Sequence, residues 1–403
     1  MKKFKMLLCL LLGLLLLASG CFSYTDMNRL LFYTMGAGDY KDGEFFFYGE
    51  AYKAYRGEGE KSGKEKRIVI FGKGKSLCEA VEQMRDSVNY PIEYAVNKTF
   101  VFTKGLAEHG LGDYLDIFDR DQKPSLRMYL SILDGNIHDL VDVQMEEELF
   151  MGLFLYQMMN SQQHALSVVT DQYYTFLNNL KTGSGVNVIP ILKLTNIDEQ
   201  TDAHEHSGGE ESDSGQSQSG GTQSRGDNPS AQKYITVDGA AVFVKTKMAA
   251  QINRQEAEIY KLLTGAVNSG IINMPNPDVS GALVGFTVLK NKYHYKVTKQ
   301  DGRLRIDVKL DVRLVLLEAQ QGISGSDETA VKLKSGAEAE IRHRAQAFIA
   351  SMCEKGIDIV NVMRKAQLAH IELPSEHYLN DTDFYISVDV TIDGLGKQKE
   401  AYY

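Results

Sequence analysis

Several groups of residues have types and spacings that could carry chemistry. The first is Cys21, which directly follows Leu17-Ala18-Ser19-Gly20. A thiol placed just after small residues, behind a cationic start (Lys2, Lys3, Lys5) and an apolar run from Met6 to Leu17, is where a diacylglyceryl group is attached before signal cleavage. Residues 1–20 are therefore expected to be a signal peptide, and Cys21 the lipidated N-terminus of the mature chain. The apolar run falls short of the roughly 20 residues that a spanning helix needs. Gly72-Lys73-Gly74-Lys75-Ser76 lies between an apolar strand and a helix, as a phosphate-binding loop would. That loop requires a glycine at position 69, which is Val69. The segment is read instead as a basic turn with Ser76 as a helix cap. His204-Glu205-His206 has metal-binding residue types but no rigid frame and no further ligands. Asp119-Arg120-Asp121 holds its carboxylates too close in sequence for separate acid and base roles, and reads as a helix end with local ion pairing. Cys78 and Cys353 lie far apart, without CxxC or zinc spacing, and are expected as two buried free thiols on amphipathic helices. His343 is expected on the solvated side of a long helix. GxSxG, HExxH and EF-hand patterns are missing from the sequence. No catalytic residue, metal ligand or cofactor site is expected.

The elements around these residues alternate between strand and helix. In the first half, Glu44–Tyr55 after the Asp42-Gly43 turn, Arg67–Phe71, Thr99–Thr103, Leu126–Leu133 and Val186–Leu194 read as strands. Pro190 marks the last of these as an edge strand. Ser76 with Glu79 starts a helix whose apolar face is Leu77, Ala80, Val81, Met84 and Val88. Leu111, Leu115 and Phe118 fit a short helix, and the stretch from Met145 to Leu180 reads as two more. In the second half, Tyr234–Val237, Asp238-Gly239 and Ala241–Lys245 read as a hairpin. Asn253 with Glu256 caps a helix ending at Gly265. Leu304, Ile306, Val308, Leu310, Val312 and Leu314 alternate with charged residues, giving a strand with one buried and one wet face. A long helix over Ser335–Lys355 and a final strand with Phe384, Ile386, Val388, Val390 and Ile392 inward complete a two-layer α+β domain, a long helix on an antiparallel sheet.

Composition sets the organisation. The 403 residues are 43% hydrophobic and 24% charged, which is ordinary for a globular protein. A net charge of −9 argues against a nucleic-acid partner and against a broad grip on anionic lipid. Residues 196–232 are acidic and rich in Ser and Gly, with Ile197 the sole aliphatic besides Ala203 and Ala231. They cannot bury enough apolar surface to offset ordering entropy and are expected as a disordered linker spanning about 30–36 Å. The expected plan is a multi-domain α+β protein of mixed and antiparallel sheets packed by helices. Its parts are a signal peptide (1–20), an α/β region (21–195), the linker (196–232) and an α+β domain (233–403).

The order of these segments resembles the Ger(x)C spore germination lipoproteins. The resemblance rests on Gly72–Ala80 (GKGKSLCEA), Lys104–Leu111 (KGLAEHGL), Asp113–Asp121 (DYLDIFDRD) and Asp238–Met248 (DGAAVFVKTKM), with the alternating strand, long helix and last strand in the same order. Where the family has Trp-Asp after the lipid cysteine, this chain has Phe22-Ser23, and it contains no Trp. The resemblance implies a non-catalytic C subunit of a nutrient germinant receptor. Such a subunit is lipid-anchored on the outer face of the spore inner membrane, beside a polytopic A subunit and a transporter-like B subunit, and serves germination in response to small nutrients. Lipidation carries over to Cys21, and no catalytic residue carries over. The alternative is a solute-binding lipoprotein of an importer, which is expected to have two similar α/β lobes around a hinge. An envelope enzyme acting on cell wall would need an acid/base pair or metal site that the motifs do not supply.

Overall fold

The computed structural model describes residues 29–53, 67–121, 124–143, 148–196, 233–323 and 326–393, together with Phe4. The chain begins with an antiparallel hairpin of β1 (Leu31–Lys41) and β2 (Glu44–Lys53), turned by Asp42 and Gly43 at φ of 54° and 81°. Positive φ at both turn positions matches the right-handed twist of the strands. Then follow β3 (Arg67–Gly74), α1 (Leu77–Asp86), β4 (Ile92–Glu93), β5 (Thr99–Thr103), α2 (Lys104–His109), α3 (Gly112–Asp121), β6 (Tyr129–Asp134) and α4 (Ile137–Asp142). After these come α5 (Met151–Ser161), β7 (Asp171–Gln172), α6 (Tyr173–Thr182) and β8 (Val186–Asn196). The second half carries β9 (Lys233–Val244), β10 (Lys247–Ile252), α7 (Arg254–Thr264), β11 (Ile271–Pro275), β12 (Leu283–Gln300) and β13 (Arg303–Ala319). It ends with α8 (Asp327–Glu354), α9 (Val362–Leu368), a 3₁₀ turn at Tyr378–Asp381 and β14 (Thr382–Ile392).

The first sheet runs β10-β9-β8-β6-β5-β1-β2-β3, with β4 on β1 and β7 on β6. Its middle strands β8, β6, β5 and β1 are parallel and its flanks are antiparallel hairpins. Both faces are covered, as a parallel centre requires. One core joins residues of α1, α2, α3 and α6 to the sheet, and the opposite core joins those of α4 and α5. The second sheet, β11-β12-β13-β14, lays the alternating residues Leu304 to Leu314 inward against α8, where Ile341, Ala345, Phe348, Ile349 and Met352 are buried.

Several expectations are corrected. Val186–Asn196 is an interior strand, not an edge. Pro190 is accommodated because the register shifts between Pro190 and Leu192, a bulge where a missing N–H is tolerated. Asp238-Gly239 is the other side of that bulge rather than a hairpin turn. β9 runs straight through it with Gly239 at φ 71°, and the actual turn lies at Lys245 (φ 57°) and Thr246. Residues 233–252 therefore extend the first sheet, although composition divides the chain at 232. The long helix starts eight residues before Ser335. Its cap is Ser326, whose Oγ accepts the Thr329 amide at 3.3 Å, with Asp327 and Glu328 favourably placed in the first turn. The second sheet is antiparallel through β13, but β14 adds in parallel after the α8 crossover. The linker 197–232 lies outside the described residues.

Candidate functional sites

Cys21 and His204-Glu205-His206 lie outside the described residues. The Gly72–Ser76 segment is not a phosphate cradle. Gly72 and Gly74 belong to β3, and a Cβ on Gly72 would sit 2.0 Å from the Ala80 carbonyl oxygen and 2.5 Å from the Met84 nitrogen. The glycine lets α1 lie directly on the strand. Ser76 Oγ accepts the Glu79 amide at 3.2 Å, and Glu79 reaches back to the Lys75 amide at 2.9 Å. Asp119-Arg120-Asp121 closes α3, but its charges pair outward: Arg120 with Asp116 (2.8 Å), Asp119 with Lys181 (3.8 Å) and Asp121 with Arg85 (3.6 Å). His343 is exposed, as expected. Cys78 and Cys353 are free thiols on α1 and α8. Cys78 is exposed rather than buried, because it falls on the outer side of α1, away from Leu77, Ala80, Val81 and Met84. Cys353 is half-buried, and burial pushes its thiol up to about 11. Among the described residues there is no cluster of three His, Cys, Asp or Glu side chains able to hold a metal.

The most enclosed charge is one that sequence reasoning passed over. Glu50 of β2 has no exposed surface. Its carboxylate accepts the Thr34 hydroxyl at 2.7 Å and the amides of Met151 and Gly152 at 2.8 and 2.9 Å. It therefore supplies the cap that Phe150, at the start of α5, cannot. The Arg67 guanidinium lies 2.8 Å away as an ion contact, and its terminal nitrogens turn to the carbonyls of Val141 and Val143. Gly152 completes the junction, since a Cβ there would meet the Thr34 carbonyl at 2.5 Å. The sequence signal was a lone acid in the aromatic strand FFFYGEAY. Asp358 plays the same part in the second half. It accepts the Val362 and Met363 amides (2.6 and 2.9 Å) and the Tyr378 hydroxyl (2.8 Å) at the start of α9.

Two further groups carry shifted pKa values. Lys261 of α7 is 7% exposed and its ammonium donates to the Gln163 carbonyl at 2.7 Å. Burial draws it down to about 8. Asp171 is half-buried as a residue, yet its carboxyl is enclosed enough for burial to push it up to about 7 against the Gln172 amide bond. Asp171 also accepts from the Thr175 hydroxyl. Asp358 and Glu50 accept from amides and hydroxyls, and Lys261 donates to a carbonyl, so these polar groups tie elements together.

At the entry of β1 the surface is different. The Leu31 amide donates to the Pro91 carbonyl at 2.9 Å, and Leu31 pairs across with Lys53 and Ile92. An open concavity of about 470 Å³ lies here, lined by Arg85, Tyr90, Pro91, Ile92 and Tyr94. The Lys53 ammonium is 3.0 Å from the Tyr90 hydroxyl and 4.2 Å from its ring centre. Lys53, and after it Arg29, hold the Tyr90 phenol below its ordinary pKa.

Two mixed sheets, one covered by helices on both faces and one backed by the long helix with α7 and α9 beside it, define a two-sheet α+β protein in which the enclosed carboxylates Glu50 and Asp358 cap helices. The family model for the spore germination protein N-terminal domain matches residues 23–194, and that for the spore germination B3/GerAC-like C-terminal region matches 238–396. The chain belongs to the Ger(x)C family of spore germination proteins, whose members are subunits of germinant receptor complexes. It is similar to the spore germination protein GerQC of Bacillus cereus, 18% identical over 345 residues, covering 85% of this chain and 84% of the relative. Its fold is similar to the crystal structure of the GerBC protein, with a TM-score of 0.51 at 14% identity, covering 89% of this chain and 96% of that one.

Proposed function

We propose that the chain is the lipid-anchored, non-catalytic C subunit of a spore nutrient germinant receptor. On this reading it is cut before Cys21, carries acyl chains there, and works on the outer face of the spore inner membrane beside polytopic A and B subunits. The observation that carries the reading is the match of both halves to germination-protein families, with the first match opening at residue 23, two residues after Cys21. Among the described residues no helix is long and apolar enough to cross a membrane. One acyl chain alone binds marginally at about 0.8 kcal/mol per buried CH₂, and two or three make a lasting tether.

The test has two arms. Spores lacking the gene should lose the response to one nutrient and keep the others. Protein drawn from spore membranes should bring two polytopic partners with it and incorporate labelled palmitate at Cys21. A deletion that leaves every germinant response intact would refute the receptor role.

A further inference from the structure

Cys21 and Arg29, where the described body begins, are eight Cα steps apart, with seven residues between them. A chain of that length spans at most roughly 29 Å. If Cys21 carries lipid, the entry of β1 is the part of the body held closest to the bilayer. That end of the body carries a cluster of cations. It gathers Arg29, which is exposed, and Lys53 and Tyr90, which are half-buried, around the open concavity beside Pro91 and Ile92. Asp121 faces Arg85, and Glu93 accepts the Ala95 amide at 2.9 Å while keeping its charge, so Arg29, Lys53 and Arg85 outnumber these two carboxylates. Among the described residues no carboxylate pairs with Lys53 or Arg29, and Lys53 lies on an aromatic ring. A basic pair beside a tyrosine is the chemistry of a headgroup interface. The ring sits at the level of the glycerol backbone, and the cations meet lipid phosphate.

We propose that this end of the first sheet, with Arg29, Lys53 and Tyr90 foremost, seats on the anionic phosphate headgroups of the bilayer that holds the Cys21 lipid. The inference rests on the anchor reading above and adds an orientation to it. The body does not swing freely on its tether. It stands with the β1 entry down, which directs the opposite ends of the sheets away from the lipid.

The absence of Trp from the sequence makes the test clean. Lipidated protein carrying Tyr90→Trp, reconstituted in phosphatidylcholine vesicles with 30 mol% phosphatidylglycerol and brominated lipid, should show blue-shifted and quenched emission. Tyr385→Trp, on the wet face of the second sheet, should stay unquenched. Adding Arg29→Gln and Lys53→Gln to Tyr90→Trp should weaken docking about 25-fold, roughly fivefold for each cation, and restore the emission. Unquenched Tyr90→Trp on a chain that mass spectrometry shows to be lipidated overturns the docking face and leaves the anchor standing. Equal quenching of Tyr385→Trp, or quenching indifferent to anionic lipid, also overturns it. Absence of lipid from Cys21 overturns both.

Discussion

Glu50→Ala should be among the most damaging single substitutions in the first sheet. The change removes one carboxylate and leaves four groups behind: two amides at the head of α5, the Thr34 hydroxyl and the Arg67 guanidinium, which is 16% exposed. Breaking a buried pair by deleting one partner costs about 3–5 kcal/mol, because the remaining charge is uncompensated. Loss of a helix cap contributes about 1 kcal/mol of similar origin, and the two overlap rather than add. The expected loss is therefore about 3–5 kcal/mol. Glu50→Leu combined with Arg67→Met should recover part of it, since no lone charge remains, while the α5 amides stay uncapped. A two-sheet chain need not unfold in one step, so the measurement is native-state hydrogen exchange at the amides of residues 151–161. A loss below about 1 kcal/mol in Glu50→Ala, or a double variant no more stable than the single one, would show that the carboxylate is not what holds α5 to β1 and β2.

Gly72→Ala should destabilise by more than about 2 kcal/mol, since its Cβ would meet backbone of α1, whereas Gly105→Ala, with nothing within 4 Å, should be neutral or stabilising by about 0.5–1 kcal/mol in thermal melts. In mature Cys21→Ser protein at pH 8, Cys78 should react with a thiol reagent quickly and Cys353 slowly until the protein unfolds, which peptide mapping reads directly. Lys261 sits at about 8 in the folded chain against 10.5 when free, so the folded state binds fewer protons between those values and stability rises with pH there. Relative to Lys261→Met, the wild type should gain about 2 kcal/mol between pH 7.5 and pH 10 in paired urea melts. Replacing residues 197–232 with a four-residue turn should leave both sheets intact and stabilise the β8–β9 pairing by about 2 kcal/mol, read by hydrogen exchange at those strands.

The elements that were legible in the sequence are those whose signal is local. The alternation from Leu304 to Leu314, the Asn253–Glu256 capping box and the Asp42-Gly43 turn appear in the structure as expected. β1 went unrecognised although it is central, because Gly36 and Gly38 interrupt its apolar pattern. A Cβ at those positions would collide with the rings of Phe100 and Tyr114, so the glycines serve packing rather than turning. Gly239 misled in the opposite direction. Glycine at positive φ is required equally by a hairpin and by a bulge, and only the partner strand tells them apart. Glu50 could not be found from spacing, because the amide it caps lies 101 residues away by a route set by the fold, whereas Asp358 lies only four residues before Val362 and its signal was local. Cys78 was assigned to the buried face because its helix is amphipathic, yet Leu77 and Ala80, one and two residues to either side, hold that face.

The same reasoning changes what the acidic Ser/Gly stretch is. Composition makes it an interdomain linker, and the two family matches, ending at 194 and beginning at 238, fit that division. Yet Asn196 and Lys233, which flank residues 197–232, are direct cross-strand partners in one antiparallel pair. The stretch is thus an insertion in a hairpin loop, and the covalent boundary between the halves is the step from β10 into α7. That step leads into a continuous core. Val188, Ala240, Val242 and Ile252 of the first sheet are buried with Leu262 and Leu263 of α7 and with Phe286 and Val288 of β12. Loop-closure cost grows only with the logarithm of length, so an insertion of this size can vary without disturbing the strands it joins. A shared apolar core permits no such freedom. The two halves are expected to move as one body.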